Sequence, residues 1–420
     1  MQPATPHIPT GVPLPPLDGQ SLAQALHGAL SAADAERQMC EAALSQWESS
    51  SGFCAMLLAL HASPPAGLSQ PARLLAVLCL KNAINRRWHQ RRQDEPAIAE
   101  DEKAALRDGL LHTLEEADPQ IWAQLELIIA VIGRLDGLAA WPALMPTLLD
   151  MASRPQPCSA ARGLSALYRV TKQQASRRLL AHRKQFIALA AELLPRLQPL
   201  RVAHAGALLS SLAQRAPEEA AAWLLSGAHD GGAPLLRAAE ALCKLERQLL
   251  LYDSHLHDHP EACAVLGHSL ELMMAAEAQR QRLASAAAVG GAAEAAQALM
   301  PLLLVPAKTL MEVQDLQPLA TTDILARALA FFLGQLHGRP FEAGAVSGAD
   351  ADDEKFLVRA LMFLRSALST SAYMPTRQAP PQAHACQQVL HASSASPFPG
   401  LPWPSMAFHA HLPWAVHSPI

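Results

Sequence analysis

Amphipathic stretches of helical period recur along this chain roughly every 40 residues, parted by short joints rich in Pro, Gly and Ser. Pairs of such stretches begin near Ser31, Ser69, Asp118, Gln156 and Pro199. A single helical hairpin of this size leaves one apolar face open, and stacking hairpin on hairpin closes it. The predicted fold is therefore all-α: a HEAT/armadillo-type α-solenoid, a superhelical stack of antiparallel helix pairs. No alternation of period two runs far enough to build a sheet, which excludes an α/β enzyme fold.

Local signals place the helices. Ser31 is the expected N-cap of "AADAERQMCEAALSQWE", with Ala35, Met39, Ala42, Ala43 and Trp47 on one face. A helix in "GFCAMLLALHA" ends before Pro64 and Pro65, and the next opens at Ser69 with Leu74, Val77, Leu80, Ile84 and Trp88 in register. Glu100, Asp101 and Glu102 suit the positive end of another. Asp118-Pro119 combines an N-cap with proline at the first helical position. Gly137 ends that helix, and "AAWPALMPTLLDMA" completes the pair. Later pairs join "AAEALCKLERQLLLYD" to "ACAVLGHSLELMM", and "DILARALAFFLGQL" to "DEKFLVRALMFLRSALS". The expected organisation is a Pro-rich leader (1–19), helical repeats over 20–152 and 153–375, and an irregular Pro/His-rich tail (376–420) without helical period.

Composition narrows the function classes. Half the residues are hydrophobic, mostly Ala and Leu, which favour helix over strand. A net charge of -4 argues against a dedicated nucleic-acid binder. Seven scattered cysteines without a CxxC pair suit a reducing compartment. No apolar run is expected to reach the roughly 20 residues of a membrane span, and the N-terminus lacks the pattern of a secretory signal. These features point to a soluble, intracellular protein without membrane insertion. The one cluster with metal-ligand chemistry is His255, His257, Asp258 and His259 in "HLHDHPE". Its spacing does not put the ligands on one helix face, so a polar loop is expected, with no metal and no cofactor. There is no G-x-S-x-G, P-loop or dinucleotide fingerprint; the chain is not expected to be an enzyme.

The stretch "LCLKNAINRRWHQRRQDE" carries Lys81, Arg86, Arg87, Arg91 and Arg92 around Trp88. Trp88 follows Leu80 and Ile84 on the apolar stripe, and Asp94, Glu95 and Glu100 come next. A buried tryptophan and a solvated arginine face are expected, with Asn82 and Asn85 tying the helix end to the following turn. Direct nucleic-acid binding is not.

Several stretches in succession resemble the N-terminal region of importin-β-type nuclear transport receptors (karyopherins), most of all the importin-11 branch. They are "SQWESSSGFCAMLLAL", "ARLLAVLCLKNAINRRW", "EDEKAALRDGLL" and "QIWAQLELIIAVIGRLDGLAAWPALMPTLL". "YRVTKQQASRRLLAHRKQF" and "LMFLRSALSTSAYMPT" are similar to later repeats. Trp47, Phe53, Trp88, Trp141 and Pro142 are the motif residues. The sequence departs from the family where Ser51 replaces a proline before Gly52-Phe53, and where Gly137 follows Asp136. Family members are longer, and their C-terminal arches commonly help to hold cargo. The resemblance implies binding of Ran-GTP through the second helices of the first repeats, about 52–62, 100–117 and 138–152. It also implies protein cargo, phenylalanine-glycine nucleoporins as further partners, and shuttling between nucleus and cytoplasm. Candidate Ran contacts are Lys81, Asn82, Arg86, Glu102, Lys103, Arg107, Asp108 and Asp136, with Glu102, Lys103, Arg107 and Asp108 expected to be exposed. The alternative is a non-transport HEAT-repeat interaction scaffold.

Overall fold

The computed structural model describes residues 16–90, 96–228, 231–251, 260–286, 291–317, 319, 323–337 and 351–370. Residues 1–15 of the expected leader, Arg91, Arg92, Asp94, Glu95, the His255–His259 cluster and the Pro/His-rich tail lie outside the described residues, and the last leader residue, Gly19, already opens a helix. Among the described residues there is no strand. Seventeen α-helices follow one another: α1 (Gly19–Gly28), α2 (Asp34–Trp47), α3 (Phe53–Ala62), α4 (Gln70–Arg87), α5 (Glu100–Leu111), α6 (Pro119–Asp136), α7 (Leu144–Ala152), α8 (Pro157–Ala175) and α9 (Leu180–Arg201). Then come α10 (Ala207–Gln214), α11 (Pro217–Leu225), α12 (Gly232–Leu250), α13 (Pro260–Ser285), α14 (Ala292–Ala298), α15 (Pro301–Leu316), α16 (Asp323–His337) and α17 (Ala351–Ser369).

Two rows organise them. In the first, α1, α4, α6, α8, α12, α15 and α17 pack in that order, each against the next. Behind it, α3, α5, α7, α9, α13 and α16 each pack on a first-row helix. Each pair leans on its neighbours rather than on a shared centre, which is the α-solenoid expected from the hairpin argument.

Helix starts follow the local chemistry. Asp118 Oδ1 accepts from the backbone N–H groups of Gln120 and Ile121, both at 2.9 Å, and Pro119 occupies the first turn of α6. Ser69 Oγ accepts from Ala72 N–H to open α4. Gly137, at φ 83°, ends α6 in a conformation that a side chain would resist. In α4 the buried positions Ala72, Ala76, Val77, Leu80, Ala83 and Ile84 recur at three- and four-residue spacing. Each buried Leu or Ile contributes about 1.5–3 kcal/mol.

Three local expectations fail. The N-cap of α2 is Ala33, and Ser31 Oγ instead accepts from Ala33 N–H in the preceding turn. Only Leu44 and Trp47 of α2 are buried, and Met39 is 64% exposed, because α2 packs chiefly on α1 and little else. No pair begins at Pro199: α9 runs through Pro195 and Pro199, then through a π-helical turn (Val202–Gly206) into α10. Both prolines lie on the exposed side, where water can serve the carbonyls that lost their donors.

The stretch Ala292–Leu316 also reaches the length and apolarity of a membrane span, contrary to expectation. It is divided at Leu299–Met300 into α14 and α15, and more than half of its apolar window is buried in the solenoid.

A close backbone approach joins α7 to α8. A Cβ on Gly163 would lie 2.6 Å from the Ala152 nitrogen and 2.9 Å from the Met151 carbonyl carbon. Gly163→Ala should therefore cost about 1–3 kcal/mol by forcing the two helices apart. Thermal unfolding followed by circular dichroism checks it; an unchanged midpoint would mean that the helices do not sit this close.

Candidate partner-binding surface

Of the eight expected Ran contacts, Lys81, Asn82 and Arg86 lie on α4, Glu102, Lys103, Arg107 and Asp108 on α5, and Asp136 on α6, while α3 and α7 hold none. Helix α5 is tied to its neighbours by side chains expected to face solvent. α3 has no side-chain cap of its own: its N-cap is Gly52 at φ 82°. The cap comes from α5. Glu102 Oε2 accepts from Gly52 N–H at 2.9 Å, and Oε1 from Ala55 N–H at 3.0 Å. A carboxylate at this position satisfies orphan donors and meets the positive end of the helix dipole.

A second cluster ties α4, α5 and α6. Trp88, 1% exposed, donates its indole N–H to Asp136 Oδ1 at 2.6 Å. Arg107 Nε donates to the other oxygen of Asp136 at 3.1 Å. Lys103 Nζ and Arg107 Cζ stand 5.6 and 5.9 Å from the Trp88 ring centroid, within cation–π range. Lys103 also pairs with Glu100 at 2.7 Å, and that hydrogen bond holds the Glu100 carboxyl below its ordinary range. Trp88 is thus buried as expected, while Glu102, Lys103 and Asp136 are internal linkers rather than exposed contacts.

The end of α4 differs too. Asn82 and Asn85 are exposed, and it is Arg87 that ties the helix end. Its Nε donates to Pro96 O at 3.0 Å, its Nη2 donates to Ser49 O at 3.3 Å, and its own carbonyl accepts from Ile98 N–H at 2.9 Å. The arginine face is therefore partly interior, and an alternating basic run gives no sign of which member turns inward. Arg86 stays exposed and pairs with Glu48. Lys81 donates to Gln124 on α6 at 2.6 Å. Of the motif residues, Trp47, Phe53 and Trp141 are buried, and Pro142 is exposed in the turn before α7.

An acidic stripe on α5 remains open. Asp101, Ala104, Ala105 and Asp108 are exposed at helical spacing, with Asp150 exposed on α7. The sequence pointed to Asp108 and not to Asp101 or Asp150; a two-turn spacing from Asp108 marks Asp101, and nothing local marks Asp150 on α7. Nothing in this region resembles a nucleophilic centre. Burial pushes Cys54 up to about 12 and Cys79 to about 11, so both thiols stay protonated at neutral pH. Among the described residues no group of His, Cys, Asp and Glu could hold a metal ion.

Residues 40–116, which contain α3, α4 and α5 with the Glu102 cap, match the importin-β N-terminal domain family. That segment is similar to importin-β proteins. The chain is 28% identical to importin-11 of Mus musculus and of Homo sapiens over 354 residues, which is 84% of its own length and 33% of theirs. It is 33% identical over 115 residues to the importin beta-like protein KAP120 of Saccharomyces cerevisiae, covering 27% of this chain and 11% of that one. It thus spans about a third of the length of the importin-11 relatives. Its fold is similar to that of Lph2, described as a bidirectional nuclear transport receptor in S. cerevisiae. The TM-score there is 0.61 at 21% identity, over 88% of this chain and 34% of that one. For the exportin Cse1 in its cargo-free, cytoplasmic state the TM-score is 0.60 at 14% identity, over 85% and 35% of the two chains.

Proposed function

We propose that this chain acts as a nuclear transport receptor of the importin-11 type, binding Ran-GTP through its first repeats and moving protein cargo through the nuclear pore. The observation that carries the reading is the similarity of residues 40–116 to the importin-β N-terminal domain, in which α5 turns Asp101 and Asp108 outward while Glu102 and Lys103 are buried. Within that reading Asp101 and Asp108 are the contacts on α5, and Asp150 extends the surface onto α7. Glu102, Lys103, Arg107 and Asp136 act by holding α5 in place.

A mechanism follows from the stack. Each pair touches only its neighbours, so the curvature of the whole changes at small local cost. Ran-GTP and cargo that prefer different curvatures then exclude each other, and this differential affinity drives loading and release. Phenylalanine-glycine nucleoporins are the further partners, and shuttling between cytoplasm and nucleus is the expected distribution. The other reading, a HEAT scaffold outside transport, predicts indifference to nucleotide state.

A pull-down with Ran locked in either nucleotide form separates the two. Retention of the GTP form alone supports the receptor; equal retention of both forms, or none, supports the scaffold. Asp101→Lys with Asp108→Lys should lower retention of the GTP form about tenfold through lost charge complementarity, with only a small drop in the thermal midpoint, because both side chains are exposed and only Asp101 gives up a favourable place at the helix start.

A further inference from the structure

Between Met151 and Ala191 the chain has no Asp or Glu and eight Lys or Arg, against an overall charge of -4. Neighbouring helices neutralise the first of these cations. Arg154 and Arg162 pair with Glu115, and Arg169 pairs with Glu126 on α6. Neutralisation stops at the joint of α8 and α9. Lys172, Arg178, Arg183 and Lys184 are exposed there, and among the described residues none of them has a carboxylate within ion-pair reach. Lys172 rests on the Tyr168 ring at 5.8 Å. Within the same joint Leu179 and Leu180 are each 68% exposed. Arg183 lies in the first turn of α9 and Lys184 follows it, near the end of the helix where the dipole disfavours cations. Two open leucines among unneutralised cations break two local rules at one place, and such violations cluster where a surface serves another molecule.

We propose that this joint docks an acidic segment of a partner protein, one that places leucine-type side chains between its carboxylates. The cations supply complementarity and the leucines an apolar anchor. A nucleic acid would want an exposed aromatic face for stacking, yet Phe186 is buried and Tyr168 lies beneath Lys172. An anionic bilayer would face the rest of a net-negative chain, whereas a short acidic peptide meets only this patch, within a Debye length of about 8–10 Å. The surface lies on α8 and α9, away from the α5 stripe, and the proposal stands however the Ran experiment falls.

The test uses the full chain and a fluorescein-labelled peptide of about 15 residues in which Asp and Glu flank three leucines, read by fluorescence polarisation. Binding is expected, weakening as salt rises from about 50 to about 300 mM. It should fall about tenfold in Arg183→Glu/Lys184→Glu and severalfold in Leu179→Ser/Leu180→Ser, and vanish for a peptide with Asn and Gln in place of the acids. If the double charge reversal lowers the melting temperature, Arg183→Gln/Lys184→Gln carries the comparison. No binding, or binding unchanged by the charge variants, overturns the proposal. So does tighter binding of phosphatidylserine vesicles or a single-stranded oligonucleotide to the same residues.

Discussion

Glu246→Ala should destabilise the middle of the solenoid by about 3–5 kcal/mol, the cost of leaving a buried charge without its partner. Glu246 on α12 is 1% exposed. It accepts from Arg201 at the end of α9, and from Ser269 Oγ on α13 at 2.9 Å. Three helices from two rows thus meet on one carboxylate. Burial raises its pKa, while Arg201 and Ser269 pull the other way. Arg201 is already short of partners, since its Nε and Nη1 find no acceptor. Removing the carboxylate leaves the whole guanidinium stranded in an apolar interior. Replacing both groups at once, Arg201→Met with Glu246→Leu, should restore most of the loss, because two desolvated charges then leave together. Urea unfolding of wild type, both single variants and the double variant measures this. A double variant as unstable as the sum of the singles would show that the pair does not act as a unit.

Much of the stack was legible because its punctuation is local. Asp118-Pro119, Ser69 and Gly137 act through their own backbone neighbourhood, and their roles hold whatever packs nearby. Two kinds of position were not legible. The first is the helix that continues through a proline: Pro199 resembles a start signal, and only the exposure of Pro195 and Pro199, with the π turn beyond, lets α9 proceed. The second is the charged side chain used across helices. Glu102 sits among helix-starting acids, yet its oxygens face α3, whose sequence neighbourhood lies some fifty residues earlier. No periodicity in α5 distinguishes Glu102 from Asp101, which is exposed. Of the eight candidate contacts, the structure brings Lys103, Arg107 and Asp136 together around one tryptophan, and it leaves Asp108 on an open face.

Trp88→Ala should cost about 3–5 kcal/mol for the cavity alone, and more for what the ring organises. The indole fills the junction of α4, α5 and α6, donates to Asp136, and offers its face to Lys103 and Arg107. Its removal leaves Asp136 with one donor and two cations without their platform, in a part of the fold where Lys103 and Asp136 are both almost wholly buried. Trp88→Phe keeps most of the ring but loses the N–H, so its smaller loss, about 1–3 kcal/mol, isolates the hydrogen bond and its buried acceptor. Urea unfolding measures both, and hydrogen exchange should show the loss of protection concentrated in α4, α5 and α6. Because α5 carries the acidic stripe, Trp88→Ala should weaken Ran-GTP retention by disordering the helix. Asp101→Lys with Asp108→Lys should do so with the fold intact. A Trp88→Ala protein that keeps native protection across α5 would mean that the tryptophan fills space there without holding the surface in place.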